Sequence, residues 1–217
     1  RRHTRFKCDW SSDVCSSDLT ILAVNTSVPA GSVKELIALA RAKPRQLNYA
    51  SVGNGSPIHL GMELLKSMTG VDIVHVPYKG AVNAVTDLLA GQVHVMLNSM
   101  PTILPHVKTG KLRALAVGSA RRARAVPDLV TVAESGVPGF EAITWVGLAA
   151  PAKTPAPIIS KLNSEIVRVM TDAETAQRLS AQGAEAQAST PEGFTQFMRE
   201  ESARARNVIA AASIKPD

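Results

Sequence analysis

Residues 47–62, LNYASVGNGSPIHLGM, limit what this chain can fold into more than any other stretch. Residues 47–50 have strand character, residues 51–56 form a loop of small residues, and a helix opens at Pro57. Proline suits a first helical position, because its missing N–H would have had no partner there. Ser56 stands where an N-cap hydroxyl accepts a bond from a first-turn amide. Gly53 and Gly55 allow a tight turn and a close approach of backbone to a ligand. Several loop amides at the positive end of a helix dipole would then converge on an anion. The same pattern also joins ordinary α/β units. It is not a Walker loop, since no Gly-Lys-Ser/Thr follows. It is not a dinucleotide fingerprint, since Ile58 stands where the third glycine belongs. With no lysine in the loop, a carboxylate fits better than a phosphate.

The 217 residues suffice for one large or two small domains, and 45% hydrophobic content supports a sizeable core. Aromatic content of 4% argues against stacking platforms for nucleic acid. Of the net charge of +6, much is local: Arg1, Arg2, Arg5 and Lys7, then Arg121, Arg122 and Arg124. Without interleaved aromatics these clusters read as solvated turns, though a mildly positive field suits an anionic ligand. No apolar run approaches the roughly 20 residues of a membrane helix, so neither nucleic-acid binding nor membrane insertion is expected. Cys8 and Cys15 have neither CxxC spacing nor a nearby His to complete a metal set.

Residues 1–19 show neither helical nor strand period. They lack the apolar region of a signal peptide and are read as a foreign leader, poorly ordered and outside the fold. From residue 20 onward strands and helices alternate, as in an α/β sheet with helices on its faces. Strands are expected at 20–24, 47–50, 71–76, 93–97, 112–117, 142–149 and 184–187. Helices are expected at 33–42 behind a Ser32/Glu35 capping box, then from 57 to Gly70, and at 81–90, 100–108, 156–170, 173–181 and 191–211. Residues 118–127 read as a surface connector.

Ligands of open α/β sheets bind where strands end and helices begin. Three such corners fall at 51–56, 77–81 and 97–100. Tyr78 offers a hydroxyl, Gly80 and Ala81 offer amides at a second helix start, and Asn98 donates or accepts. His59 either bonds the anion or braces the loop. His59 and Glu63 have the spacing of a metal pair but lack a third ligand. His75 reads as a core or edge residue, and His94 and His106 have no partner by sequence. Ser51 or Ser56 with His59 makes a poor nucleophile set, with no Gly-x-Ser-x-Gly elbow and no orienting acid. No catalysis and no cofactor are expected. Trp145 reads as a core or cleft-wall aromatic.

From about Ile21 to Lys215 the chain resembles the solute-binding proteins of tripartite tricarboxylate transporters, the TctC or Bug family. The phrases that carry this are VKELIALARAKPRQLNYASVGNGSPIHLGMELL, VDIVHVPYKGAVNAVTDLLAGQV, KLRALAVGSARR, TVAESGVPGFEAITWVGLAAPAKTPAPIISKLN and AQGAEAQASTPEGF. The resemblance implies a type II periplasmic binding fold, in which two α/β domains close over a small carboxylate solute that is delivered to membrane permease subunits. It implies a periplasmic location for the parent protein. It places Ser51, Gly53, Asn54, Gly55, Ser56 and His59 on the anion loop, Tyr78, Gly80 and Ala81 on the second corner, and Asn98 near the third. One departure is His94, where the family usually has Asp, which puts a helper contact in question.

Nothing in this chain matches the family's opening section. Residues 20–118 are therefore expected to form a complete ligand-binding domain, and residues 119–217 the remainder of its partner, with the first-sequence half of that domain missing. Weak or absent ligand binding and an exposed apolar sheet face would follow. Two other classes share the bilobal plan: an enzyme acting on a carboxylate substrate, and a LysR-type effector-binding domain. The first lacks an acid–base set, and the second lacks a helix-turn-helix in the leader.

Overall fold

A computed structural model describes residues 15–151 and 153–214. Its larger sheet has five strands: β2 (Thr20–Asn25), β3 (Asn48–Ser51), β4 (Val74–Pro77), β5 (Val95–Ser99) and β6 (Leu112–Val117), in the order β4-β3-β5-β2-β6. β3 runs parallel to both β4 and β5, whereas β2 lies antiparallel to β5 and β6. Helices cover both faces, so the central strands are buried on both sides. On one face, α1 (Val33–Ala42) and α2 (Pro57–Thr69) set Leu36, Met62 and Leu65 against Leu22, Tyr49, Val95 and Leu97. On the other, α3 (Ala81–Leu89) and α4 (Met100–Lys108) set Ala84, Leu88 and Ile103 against Ile21, Ala23, Ala50 and Met96. Alternate residues of β2 thus serve opposite cores, as the two-residue period of a strand requires.

The smaller sheet has the order β7-β1-β8, built from β1 (Cys15–Asp18), β7 (Thr144–Gly147) and β8 (Ala184–Gln187). Trp145 is half-buried and packs edge-on against Phe194 and Phe197 of α7 (Pro191–Ala211), with centroids 5.7 and 5.4 Å apart. Helices α5 (Ala156–Met170) and α6 (Ala173–Ala181) complete the chain, with Asp172 capping α6 through Thr175 N–H at 2.9 Å.

The leader boundary needs correction. Residues 15–18 are the central strand of the smaller sheet, antiparallel to both neighbours, and Leu19 is buried. Backbone N–H and C=O groups pair whatever the side chains, so a strand without hydrophobic period is held by its two neighbours. Residues 1–14 lie outside the described residues. Smaller differences concern strand ends. β4 begins at Val74 rather than 71, although Val71 and Ile73 are buried, and β7 is limited to four residues. Asn98 and Ser99 belong to β5 rather than follow it. The connector 118–127 is largely exposed, but it tucks Ser119 and Ala123 into the protein.

Candidate functional site

Because β3 runs parallel to its neighbours β4 and β5, the C-terminal ends of all three open on one edge of the sheet. The three corners predicted from sequence therefore lie side by side, each leading into a helix. Corners one and two touch: Tyr78 N–H donates to Ser51 O at 3.0 Å, and a Cβ on Gly53 would stand 3.8 Å from Tyr78 O.

The first corner is built as the sequence suggests but aims its amides differently. Ser56 caps α2, accepting from His59 N–H at 3.3 Å while its hydroxyl donates to Gly53 O at 2.7 Å. Gly53 and Gly55 have φ of 132° and 71°, values that side-chain-bearing residues rarely adopt. Gly53 N–H donates to Ser51 Oγ at 3.2 Å, Ser56 N–H to Gly53 O at 3.3 Å, and Gly55 N–H to His59 Nδ1 at 2.9 Å. These three amides hold the loop in shape instead of converging outward on one point. Asn54 is exposed at the tip, and Ser51 is fully buried.

Beneath the loop lies a layer that sequence reasoning missed. The rings of His59 and His75 stack with centroids 3.9 Å apart and planes at 11°, and Tyr49 stacks on His75 at 4.9 Å. His75 Nε2 meets Ser51 Oγ at 2.6 Å. Tyr49 OH donates to Glu63 Oε1 at 2.6 Å, and Lys66 Nζ meets the same oxygen at 2.6 Å. Burial, reinforced by the bond to Glu63, pushes the Tyr49 hydroxyl pKa upward. His59 titrates below its ordinary value, chiefly through burial, with Glu63 opposing and Lys66 adding to the shift. Burial and the charge of His59 lower His75 to about 4. Both rings are therefore neutral near pH 7. Since Gly55 donates to His59 Nδ1, the ring proton of His59 sits on Nε2. Part of this layer has a sequence signal: Glu63 and Lys66 follow His59 at helical spacing. The pairing of Tyr49 with His75 depends on strand register, which sequence does not display.

Glu63 Oε1 is thus engaged by Tyr49 and Lys66, and His59 Nδ1 by Gly55. Among the described residues, no group of three or more His, Cys, Asp or Glu is placed to hold a metal.

At the second corner, Tyr78 OH donates to Asp87 Oδ2 at 2.7 Å, stapling the turn to α3, and burial with this bond raises its pKa to about 12. Gly80 is the N-cap of α3, with φ 113° and no side-chain capping bond, so the first amides of α3 carry no side-chain acceptor from the cap. Ala81 is half-buried and Lys79 exposed beside them. At the third corner, Asn98 is buried. Its Nδ2 meets Met96 Sδ at 3.7 Å and its Oδ1 accepts from Ser99 N–H at 2.7 Å. Ser99, the N-cap of α4, makes no capping bond to the helix backbone. The N-termini of α3 and α4 both lack a side-chain cap, and that of α3 adjoins the braced loop; a helix start of this kind presents backbone donors and a positive dipole.

His94 lies at the opposite end. Its backbone and ring bond Asn48, where β3 begins, at 3.0 and 2.8 Å, so the departure at this position does not touch the three corners. A separate cavity of about 340 Å³ lies between α2 and α7, bordered by Leu60, Leu64, Trp145 and Val208. None of the ten residues expected to bind ligand lines it.

This architecture has solved counterparts. An R. palustris protein determined with adipate is 36% identical and superposes with a TM-score of 0.88, covering 97% of this chain and 71% of that one. MatC from Rhodopseudomonas palustris, with bound malate, is 29% identical with a TM-score of 0.80, covering 93% and 70%. The fold is thus the type II periplasmic-binding-protein kind. Protein BugT of Bordetella pertussis is 35% identical over 195 residues, 90% of this chain, and the chain spans 60% of BugT's length. The family model for the tripartite tricarboxylate transporter family receptor matches residues 12–214, reaching back into the segment that sequence reads as a leader. The chain belongs to that receptor family, TctC.

Proposed function

We propose that this chain supplies one wall of a clamp for a small carboxylate solute, in an extracytoplasmic receptor that hands the solute to the membrane permease subunits of a tripartite tricarboxylate transporter. The observation that carries this reading is the shared edge of β3, β4 and β5, where a braced loop adjoins an uncapped helix N-terminus. Related proteins of the same fold have been solved with adipate and malate. The family is one of solute-binding transport proteins rather than enzymes. On this reading Gly80 and Ala81 hold a carboxylate through backbone groups at the start of α3. Ser51, Gly53, Gly55, Ser56 and His59 shape the adjoining loop. Asn54 and Tyr78 border it, and Asn98 sets the floor at the third corner. Residues 20–118 act as one ligand-binding domain, and residues 119–217 belong to its partner. The parent protein works in the periplasm.

A thermal-shift screen of adipate, malate and other small carboxylates tests the proposal, because a ligand that binds only the native state raises the melting midpoint. Because one wall of a clamp binds weakly, the screen uses millimolar ligand, where a small rise with at least one dicarboxylate, and none with a matched diamine or sugar, is expected. A folded chain that responds to no carboxylate would contradict it.

A further inference from the structure

We propose that His75 is a positioning residue for the carboxylate site: it touches no solute, but it sets the shape of the 51–56 loop through Ser51 and through its stack on His59. This rests on the reading of that edge as a carboxylate site.

His75 lies on β4, directly paired in register with Tyr49 of β3. It is faced from β3 by Tyr49 and Ser51, and from α2 by His59, Glu63 and Lys66. One ring thus links the two strands that carry corners one and two to the helix that follows corner one. Ser51 Oγ is the second link. It meets His75 Nε2 at 2.6 Å, lies 3.1 Å from Gly53 O, and accepts from Gly53 N–H at 3.2 Å. The hydroxyl has one proton. Either it donates to the ring, or the ring donates to it and it donates to Gly53 O. In both cases a nitrogen at this position holds the hydroxyl that holds Gly53. His59 closes the far side of the loop through Gly55 N–H at 2.9 Å.

The arrangement requires uncharged rings. A proton on His59 Nδ1 would turn the acceptor of the Gly55 bond into a second donor facing it. A proton on His75 would place a charge against a ring 3.9 Å away. Among the described residues, the carboxylate that faces the layer is Glu63, and it is already shared between Tyr49 and Lys66.

The test uses the whole chain and four variants: H75F, which keeps a flat ring but loses the nitrogen, S51A, their double variant, and H75Q, which restores a polar group without the stack. Amide exchange of Gly53 and Gly55 and an adipate titration are followed by NMR. In H75F and in S51A, Gly53 is expected to exchange about five- to tenfold faster, as the loss of one hydrogen bond implies. Adipate should weaken by a similar factor. The double variant should be no worse than S51A, and H75Q should recover part of the Gly53 protection. In the unsubstituted chain, the Gly55 amide should titrate with His59, at a pH below the ordinary histidine range. Wild-type exchange and affinity in H75F, or H75F and S51A effects that multiply in the double variant, would overturn the proposal. If H75F does not fold, S51A and the Gly55 titration decide it. If adipate binds no form, the carboxylate reading fails, while the amide measurements still decide what His75 does.

Discussion

Ser56 does two things at once, capping α2 through His59 N–H and tying the loop through Gly53 O. S56A removes both, so a stability loss of about 1–2 kcal/mol is expected, at the upper end for an N-cap. Denaturant midpoints at unchanged m-value would measure it, and a loss below a few tenths would mean that the cap contributes little. The stacked histidines make stability depend on pH. The native pKa of His75 is about 4 against 6.5 for the free side chain, so the unfolded chain binds more protons between these values. Stability from this group is complete above about pH 6.5 and is lost as pH falls toward 4. The melting midpoint should therefore drop across that window more steeply in the native chain than in H75F. Parallel curves for the two would contradict this. At this scale, what sequence displays is local. Ser56, Pro57 and the two loop glycines announce their roles within four positions, whereas the partner of Ser51 stands 24 residues away on another strand.

Capping chemistry and helical periodicity make α1, α5, α6 and α7 legible to the residue, because each has a Ser, Asp or Thr cap or a proline at its start. The Ser32/Glu35 box forms with one change: Glu35 reaches Gly31 N–H at 2.6 Å rather than the cap residue's own amide. β1 is illegible because its sequence has no alternation, and the antiparallel direction of β2 is illegible because direction leaves no mark on composition. The candidate site is legible as three strand–helix corners, but the direction of the loop amides is not. That direction is decided by Ser51 and His59, which satisfy the amides from within. Donors without a side-chain cap then include those of α3, whose Gly80 N-cap has φ 113° and open space on every side where a Cβ would stand. G80A therefore strains the backbone without a clash. A stability loss of about 1–2 kcal/mol is expected, together with weaker carboxylate binding. Unchanged carboxylate affinity in G80A would move the site away from α3.

The two sheets are unequally finished. The larger one is covered on both faces, while near the smaller one Val146 and Leu148 are 62% and 58% exposed, and α5 exposes Ile158, Leu162 and Val169. Apolar surface of this kind favours association. The folded chain should bind a hydrophobic dye and self-associate with concentration, and L162E with V169E should reduce both. A dye-silent monomer at high concentration would count against it. The net charge of +6 gives the molecule a mildly attractive field for anions. On the proposed reading, solute choice is left to the shape of the edge formed by β3, β4 and β5.

The most direct measurement is a map of amide shifts while adipate is titrated to millimolar concentration. Shifts are expected to concentrate at residues 53–56 and 78–83 and around 98–100, with the His94 end of the sheet and the cavity between α2 and α7 silent. Shifts centred on that cavity or on the His94 end, or no shifts from a folded chain, would contradict a carboxylate site at the shared strand edge.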